Sequence, residues 1–175
     1  VNPKTMAGYK TPADLKGIRM RTPGAPVWLE TVRAMGATPT GMPWSEVYSA
    51  LQTKVIDGAE AQHPAVYGAR LYEVVKIITK TEHIYLITGI VTSRVWFDKL
   101  PADQQAILSE ESFAAGKGAS EATIASLADY EKKLREKGVT IVEIDKAPFK
   151  AATAGVYQTL GYSELRKDVD KALGK

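Results

Sequence analysis

Arg21 and Trp44 are the two side chains whose type and place along the chain most directly suggest recognition chemistry. Arg21 closes a short alternating run, Gly17 to Thr22, in which Ile18 and Met20 share one face and Arg19 and Arg21 the other. That is the period of a half-buried strand, and it stops at Pro23. Strand ends that lead into helices are where open α/β sheets place ligand groups. A guanidinium there offers paired N–H donors that match both oxygens of a carboxylate, and it stays charged at any relevant pH. The same pattern also describes a solvated strand arginine. Trp44 stands just before a helix N-terminus, where unpaired N–H groups and the positive dipole end lie beside a flat indole face suited to a small organic ligand. A core or staple tryptophan has the same signature.

These side chains need elements to hold them. Met42 to Glu60 reads as a short helix delivered by a proline turn, with Ser45 as its cap and Val47, Ala50 and Leu51 as its apolar stripe. It stops at an Asp57-Gly58 turn after Val55-Ile56. Upstream, Val1 to Pro12 reads as a loop, Thr11 to Leu15 as a turn or single helical turn, and Pro26 to Met35 as a helix ended by Gly36. With the strand before it, this makes a β-to-α unit. Downstream, Ala65 to Thr79 keeps the apolar face of a helix, and Glu82 to Ser93 is rich in β-branched residues and predicts a central strand. Arg94 to Leu100 follows as a short helix. Pro101 to Gly138 can form one helix of about 55 Å, long enough that it must bridge something or be interrupted, with Gly116 and Gly118 marking the kink. Ile124, Leu127 and Leu134 give it an apolar seam, Val139 to Ile144 predicts a strand, and Pro148 to Leu160 and Ser163 to Leu173 predict terminal helices. The alternation predicts an α/β fold with a small mixed sheet.

Composition narrows the function. The 175 residues carry 23 basic and 20 acidic side chains without a dense basic block, which argues against nucleic acid as the main partner. The absence of cysteine removes disulfides and thiolate metal sites. The two histidines, His63 and His83, lack metal-ligand spacing, so no metal is expected. No Gly-x-Ser-x-Gly elbow, Walker loop or dinucleotide glycine fingerprint is present, so neither an enzyme nor a cofactor is expected. The longest apolar run, Ile84 to Val91, is too short to span a bilayer, and the opening residues lack the apolar core of a signal peptide. The expectation is a protein that does not span the membrane, whose export signal, if the gene has one, lies upstream.

Pro43-Trp44-Ser45-Glu46-Val47-Tyr48, Ala50 to Thr53 and Asp57-Gly58-Ala59-Glu60 resemble the signature of DctP-type solute-binding proteins of tripartite ATP-independent periplasmic (TRAP) transporters. Asp14 to Arg21 is similar to that family's strand carrying a carboxylate-binding arginine, and Leu71 to Val75 and Leu100-Pro101 match in order and spacing. The resemblance spans nearly all of the chain. It implies part of a two-lobed periplasmic-binding-protein clamshell with mixed sheets and one long bridging helix. Residues 1–90 would be mostly the second ligand-binding lobe, 91–138 the hinge crossover and bridging helix, and 139–175 a strand and C-terminal helices, with the N-terminal lobe largely absent.

The resemblance further implies capture of a small organic acid in the periplasm, delivery to TRAP membrane subunits, and a monomer at full length. It gives Arg21 a bidentate salt bridge to the ligand carboxylate. The sequence departs from the family pattern at Ala61, where an asparagine would bond the ligand; Gln62 or His63 is then the candidate for the missing polar contact, and a solvated His63 is the alternative. Tyr85, on the implied hinge strand, either faces the cleft or is a buried strand tyrosine with its hydroxyl bonded. A competing function is a protein-interaction module built on the long helix, with no small-molecule ligand.

Overall fold

Residues 8–84 and 86–174 are described by a computed structural model. Strand β1 (Arg19–Thr22) runs into helix α1 (Pro26–Ala34), which starts with proline in its first turn and ends at Met35. Gly36 takes φ 99°, a left-handed value that suits glycine, and the chain returns as β2 (Thr38–Gly41). A 3-10 turn, Trp44–Glu46, leads into α2 (Val47–Gln52), and β3 is the two-residue Gly58–Ala59. Beyond it lie α3 (His63–Gly68), β4 (Ile77–Lys80), α4 (Arg94–Phe97) and α5 (Ala102–Glu136). The chain closes with β5 (Thr140–Glu143), α6 (Ala147–Thr153), α7 (Val156–Thr159) and α8 (Ser163–Ala172).

The strands form two open parallel sheets, one in the order β2-β1-β3 and one pairing β4 with β5. In the first, Arg21 lies opposite Thr40 on one side and Ala59 on the other, so the carboxyl end of β1 is central. One core packs Val47, Leu51 and Ile56 against Val139, Ile141 and Leu134 of the long helix. Another sets Leu15, Val32 and Met35 against Phe149 of α6. Burying Leu134 completely contributes about 1.5–3 kcal/mol and anchors the C-terminal end of α5 to the lobe.

Several expectations change. The helix read over Ala65 to Thr79 breaks at Arg70, whose φ of 54° is left-handed, and its last residues are the strand β4. Their β-branched side chains find a parallel partner in β5, and that pairing overrides the helical period. The strand read over Glu82 to Ser93 is absent among the described residues of that run: they are irregular, and Ile87 and Val91 are each 90 % exposed. Ser45 makes no capping hydrogen bond, because the turn from Trp44 to Glu46 is 3-10 and α2 begins one residue later. The long helix runs unbroken through Gly116 and Gly118. Its seam is seated only at Leu134, with Ile124 70 % exposed and Leu127 40 % exposed. The helix read over Pro148 to Leu160 divides at Gly155.

Candidate functional site

The parallel strands of the first sheet deliver Arg21, Trp44 and Glu60 to the same end. Arg21 sits on the last turn of β1 before Pro23, Trp44 follows β2 and Glu60 follows β3. The Arg21 side chain is buried, and its Nε and Nη2 both donate to the Met42 carbonyl, at 3.0 and 2.8 Å. One carbonyl therefore holds one edge of the guanidinium. The Trp44 ring lies against its plane, 5.3 Å from ring centroid to the guanidinium carbon, while remaining 38 % exposed itself. Nη1 lies 3.7 Å from Glu60 Oε1, too long for a hydrogen bond but an ion pair between two side chains that are each over nine-tenths buried.

This leaves the Nη1 edge of a fixed cation without a hydrogen-bond partner among the described residues. That is the arrangement a carboxylate or phosphate fork needs. Arg21 also lines a cavity of about 370 Å³ with Pro23, Gly24, Gly41, Met42 and Pro43, whereas Glu60 lines the larger groove between the sheets. The glycines let the ends of β1 and β2 approach: a Cβ on Gly41 would stand 3.3 Å from Gly24 Cα. A larger groove of about 670 Å³ lies between the sheets, but its lining is mostly the apolar core, with Met20, Ala59, Val75 and Ile78 among it. Lys54, Lys76 and Glu60 line it as well, and its arginine, Arg19, is already held by Asp57 at 2.9 Å.

Backbone hydrogen bonding explains how Glu60 reaches Arg21. Asp57 N–H donates to Arg19 O, and Glu60 N–H donates to Arg21 O. The paired residues of β3 keep one register, Gly58 opposite Met20 and Ala59 opposite Arg21, so Asp57 stands one step before them, level with Arg19. A straight continuation would set Glu60 level with Thr22 and turn it to the other face; instead the chain leaves the strand after Ala59, and the Glu60 side chain comes to Arg21. Burial lowers the Arg21 pKa and Glu60 opposes that shift, while burial raises the Glu60 carboxyl and Arg21 opposes it in turn.

The other sequence candidates are placed differently. Gln62 is exposed at the N-cap of α3. His63 begins that helix with Nδ1 3.6 Å from Glu131 Oε1 of α5, and Lys80 Nζ bridges Glu131 at 2.9 Å and Glu143 at 2.7 Å. Burial lowers the His63 pKa, against the pull of Glu131. No hydrogen bond or ion pair among the described residues joins Gln62 or His63 to Arg21. Tyr85 lies outside the described residues. The sequence marks neither Glu60 nor the Met42 carbonyl as part of the site; the order of charges hints at Arg19 with Asp57 and Arg21 with Glu60, but not at the path after Ala59 that brings Glu60 back to the arginine. His83, half-buried with Nδ1 2.7 Å from Thr81 Oγ1, has its pKa pushed down to about 4 by burial.

A buried arginine presented with an indole at the carboxyl edge of an open parallel sheet is an arrangement suited to binding a small anion. The family described as bacterial extracellular solute-binding protein, family 7 (DctP), matches residues 4–164, and the chain belongs to it. It is a family of solute-binding transport proteins rather than of enzymes. A TRAP periplasmic solute-binding protein from Escherichia fergusonii, in an apo open structure, is 47 % identical with a TM-score of 0.85, covering 94 % of this chain and 55 % of that one. One from Pseudomonas putida F1 with bound D-glucuronate is 34 % identical with a TM-score of 0.87, covering 93 % and 54 %. One from Fusobacterium nucleatum with bound sn-glycerol-3-phosphate is 32 % identical with a TM-score of 0.80, covering 91 % and 56 %. The chain spans about half the length of the curated relatives it matches. Among the described residues no helix is long and apolar enough to cross a membrane.

Proposed function

We propose that the full-length protein captures a small organic carboxylate in the periplasm and delivers it to TRAP membrane subunits. The observation that carries this reading is the buried Arg21 guanidinium, held on one edge by the Met42 carbonyl, backed by Trp44, and lining a cavity at the end of the sheet. Such a fork fixes the orientation of a carboxylate as well as its position. A glucuronate-binding relative favours a carboxylate, and the glycerol-phosphate relative marks the competing anion. Trp44 supplies an apolar wall, and Gln62, His63 and Tyr85 are the polar groups assigned to the rest of the ligand.

In this reading residues 1–90 are mostly the second ligand-binding lobe, 91–138 the hinge crossover with the bridging helix, and 139–175 a strand and the last helices. The other lobe then supplies the opposite wall of the cleft and covers exposed apolar residues such as Ile87 and Val91. The protein acts as a monomer at full length. Exposed Ile107, Phe113 and Ile124 on α5 are what a protein-interaction module would use instead.

The test is a thermal-shift screen of the full-length protein against sugar acids, C4-dicarboxylates and glycerol phosphates, with uncharged sugars as controls. A ligand that binds only the folded state raises the melting temperature. Hits among carboxylates that vanish in Arg21→Ala support the reading. Hits confined to phosphates overturn the ligand class, and an unchanged response in Arg21→Ala overturns the role of the arginine.

A further inference from the structure

Glu60 is a buried carboxylate with no place in a simple salt bridge between Arg21 and a ligand. Its Oε1 lies 3.7 Å from Nη1, outside hydrogen-bond range, and Nη1 is the guanidinium nitrogen that the Met42 carbonyl does not hold. A ligand carboxylate bonding Nη1 therefore sits next to Glu60, and the pocket then holds two negative charges against one positive charge. Two carboxylates sharing a site in this way cannot both stay ionised at ordinary cost, and the one without the better partner takes a proton.

We propose that Glu60 takes up a proton as an anionic group of the ligand docks on Arg21, so that each ligand is captured together with a proton. The proposal rests on the carboxylate reading of Arg21. The surrounding charges support Glu60 as the group that responds. On β1, Arg21 faces Glu60, whereas Arg19 is occupied by Asp57 through hydrogen bonds of 2.9 and 3.0 Å. The turn carrying Trp44 adds only the exposed Glu46. On α3, His63 turns to Glu131 of α5, which Lys80 of β4 also holds. No second cation among the described residues is paired with Glu60 to offset the arriving charge. Burial already works against its ionised form before any ligand binds. His63, three residues along the chain, is the other titratable side chain to be separated by experiment.

The experiment is calorimetry on the full-length protein with D-glucuronate, D-galacturonate and succinate, each in two buffers of different ionisation enthalpy, between pH 5.5 and 8. Proton uptake on binding, with affinity tightening as pH falls by about tenfold for each unit by which docking raises Glu60, is the expected result. Glu60→Gln should abolish the uptake and flatten the pH profile while binding persists, and His63→Gln, which weakens binding through the ligand contact assigned to His63, should leave the number of protons taken up per ligand bound unchanged. Arg21-dependent binding without proton uptake overturns this inference and leaves the carboxylate reading standing. Uptake that persists in Glu60→Gln assigns the proton to another group and overturns it as well. Failure of all the acids to bind removes the carboxylate reading and this inference with it.

Discussion

Removing Arg21 should damage the folded protein before any ligand is considered. Arg21→Ala deletes two charge-assisted hydrogen bonds to the Met42 carbonyl and leaves Glu60 as an unpaired carboxylate in a site more than nine-tenths buried. Breaking a buried pair by removing one partner costs about 3–5 kcal/mol. Glu60→Gln alone keeps the shape and leaves Arg21 held by the Met42 carbonyl without its counter-charge, and should cost about 1–3 kcal/mol. The double variant should recover about 2 kcal/mol relative to additivity, within the range for contacting residues. The pH dependence follows from Glu60. Its carboxyl is raised by burial in the fold, and loss of Arg21 raises it further, so the folded state binds the proton more tightly than the unfolded state. Stability then falls as pH rises from the ordinary glutamate value of about 4.3 through the folded one. The Arg21→Ala deficit is therefore greatest at neutral pH and shrinks on acidification. Denaturant titrations of the full-length protein and the three variants at pH 4.5 and 7.5 measure this. A coupling below about 0.5 kcal/mol, or a deficit that does not shrink in acid, would refute the argument that Glu60 is the charge Arg21 compensates.

Trp44→Ala should cost no more than about 1 kcal/mol of stability, because the ring is partly exposed and its cation–π contact is modest, yet it should weaken ligand affinity by about tenfold in an isothermal titration. Gly36→Ala should destabilise by about 2 kcal/mol or more in chemical denaturation, since its Cβ would stand 2.6 Å from the Pro12 carbonyl oxygen at a φ of 99°. Leu134→Ala should cost about 2–5 kcal/mol by the same measurement and speed hydrogen exchange at the C-terminal end of α5, where that side chain is the seated one.

The parts of the fold legible in the sequence were those whose signals are local. Alternation around Arg21, proline at the start of α1 and glycine after it marked β1 and α1 within a residue or two. The length of α5 was legible because a low-breaker helical composition from Ala102 to Glu136 needs no partner to be recognised. Strand assignments that depend on a neighbour fared worse. Ile77 to Lys80 is a strand only because β5 returns alongside it, whereas the richer β-branched run beginning at Glu82 finds no partner among the described residues. β3 carries only Gly58 and Ala59, so nothing in its side chains announces a strand. Strand propensity measures fit to a sheet that must already exist, and the sheet is set by residues far away in sequence.

The same reasoning explains why the site was half legible. Arg21 and Trp44 are placed by strand and turn boundaries, which the sequence marks. Glu60 is placed by the way the chain leaves β3 after Ala59, which it does not. Had the strand continued straight, the glutamate would point away from the arginine, and Ala59, level with Arg21, would be its neighbour on that face. The alanine would leave Arg21 with Met42 alone, and no second charge would stand in the pocket. This departure from the strand therefore decides more than geometry: it sets the charge around Arg21 before binding near zero rather than at +1. A site at +1 would attract any anion. One balanced by a buried carboxylate must be bound by a ligand that outcompetes Glu60 for the guanidinium, through a bidentate fork that Glu60, at 3.7 Å, does not make.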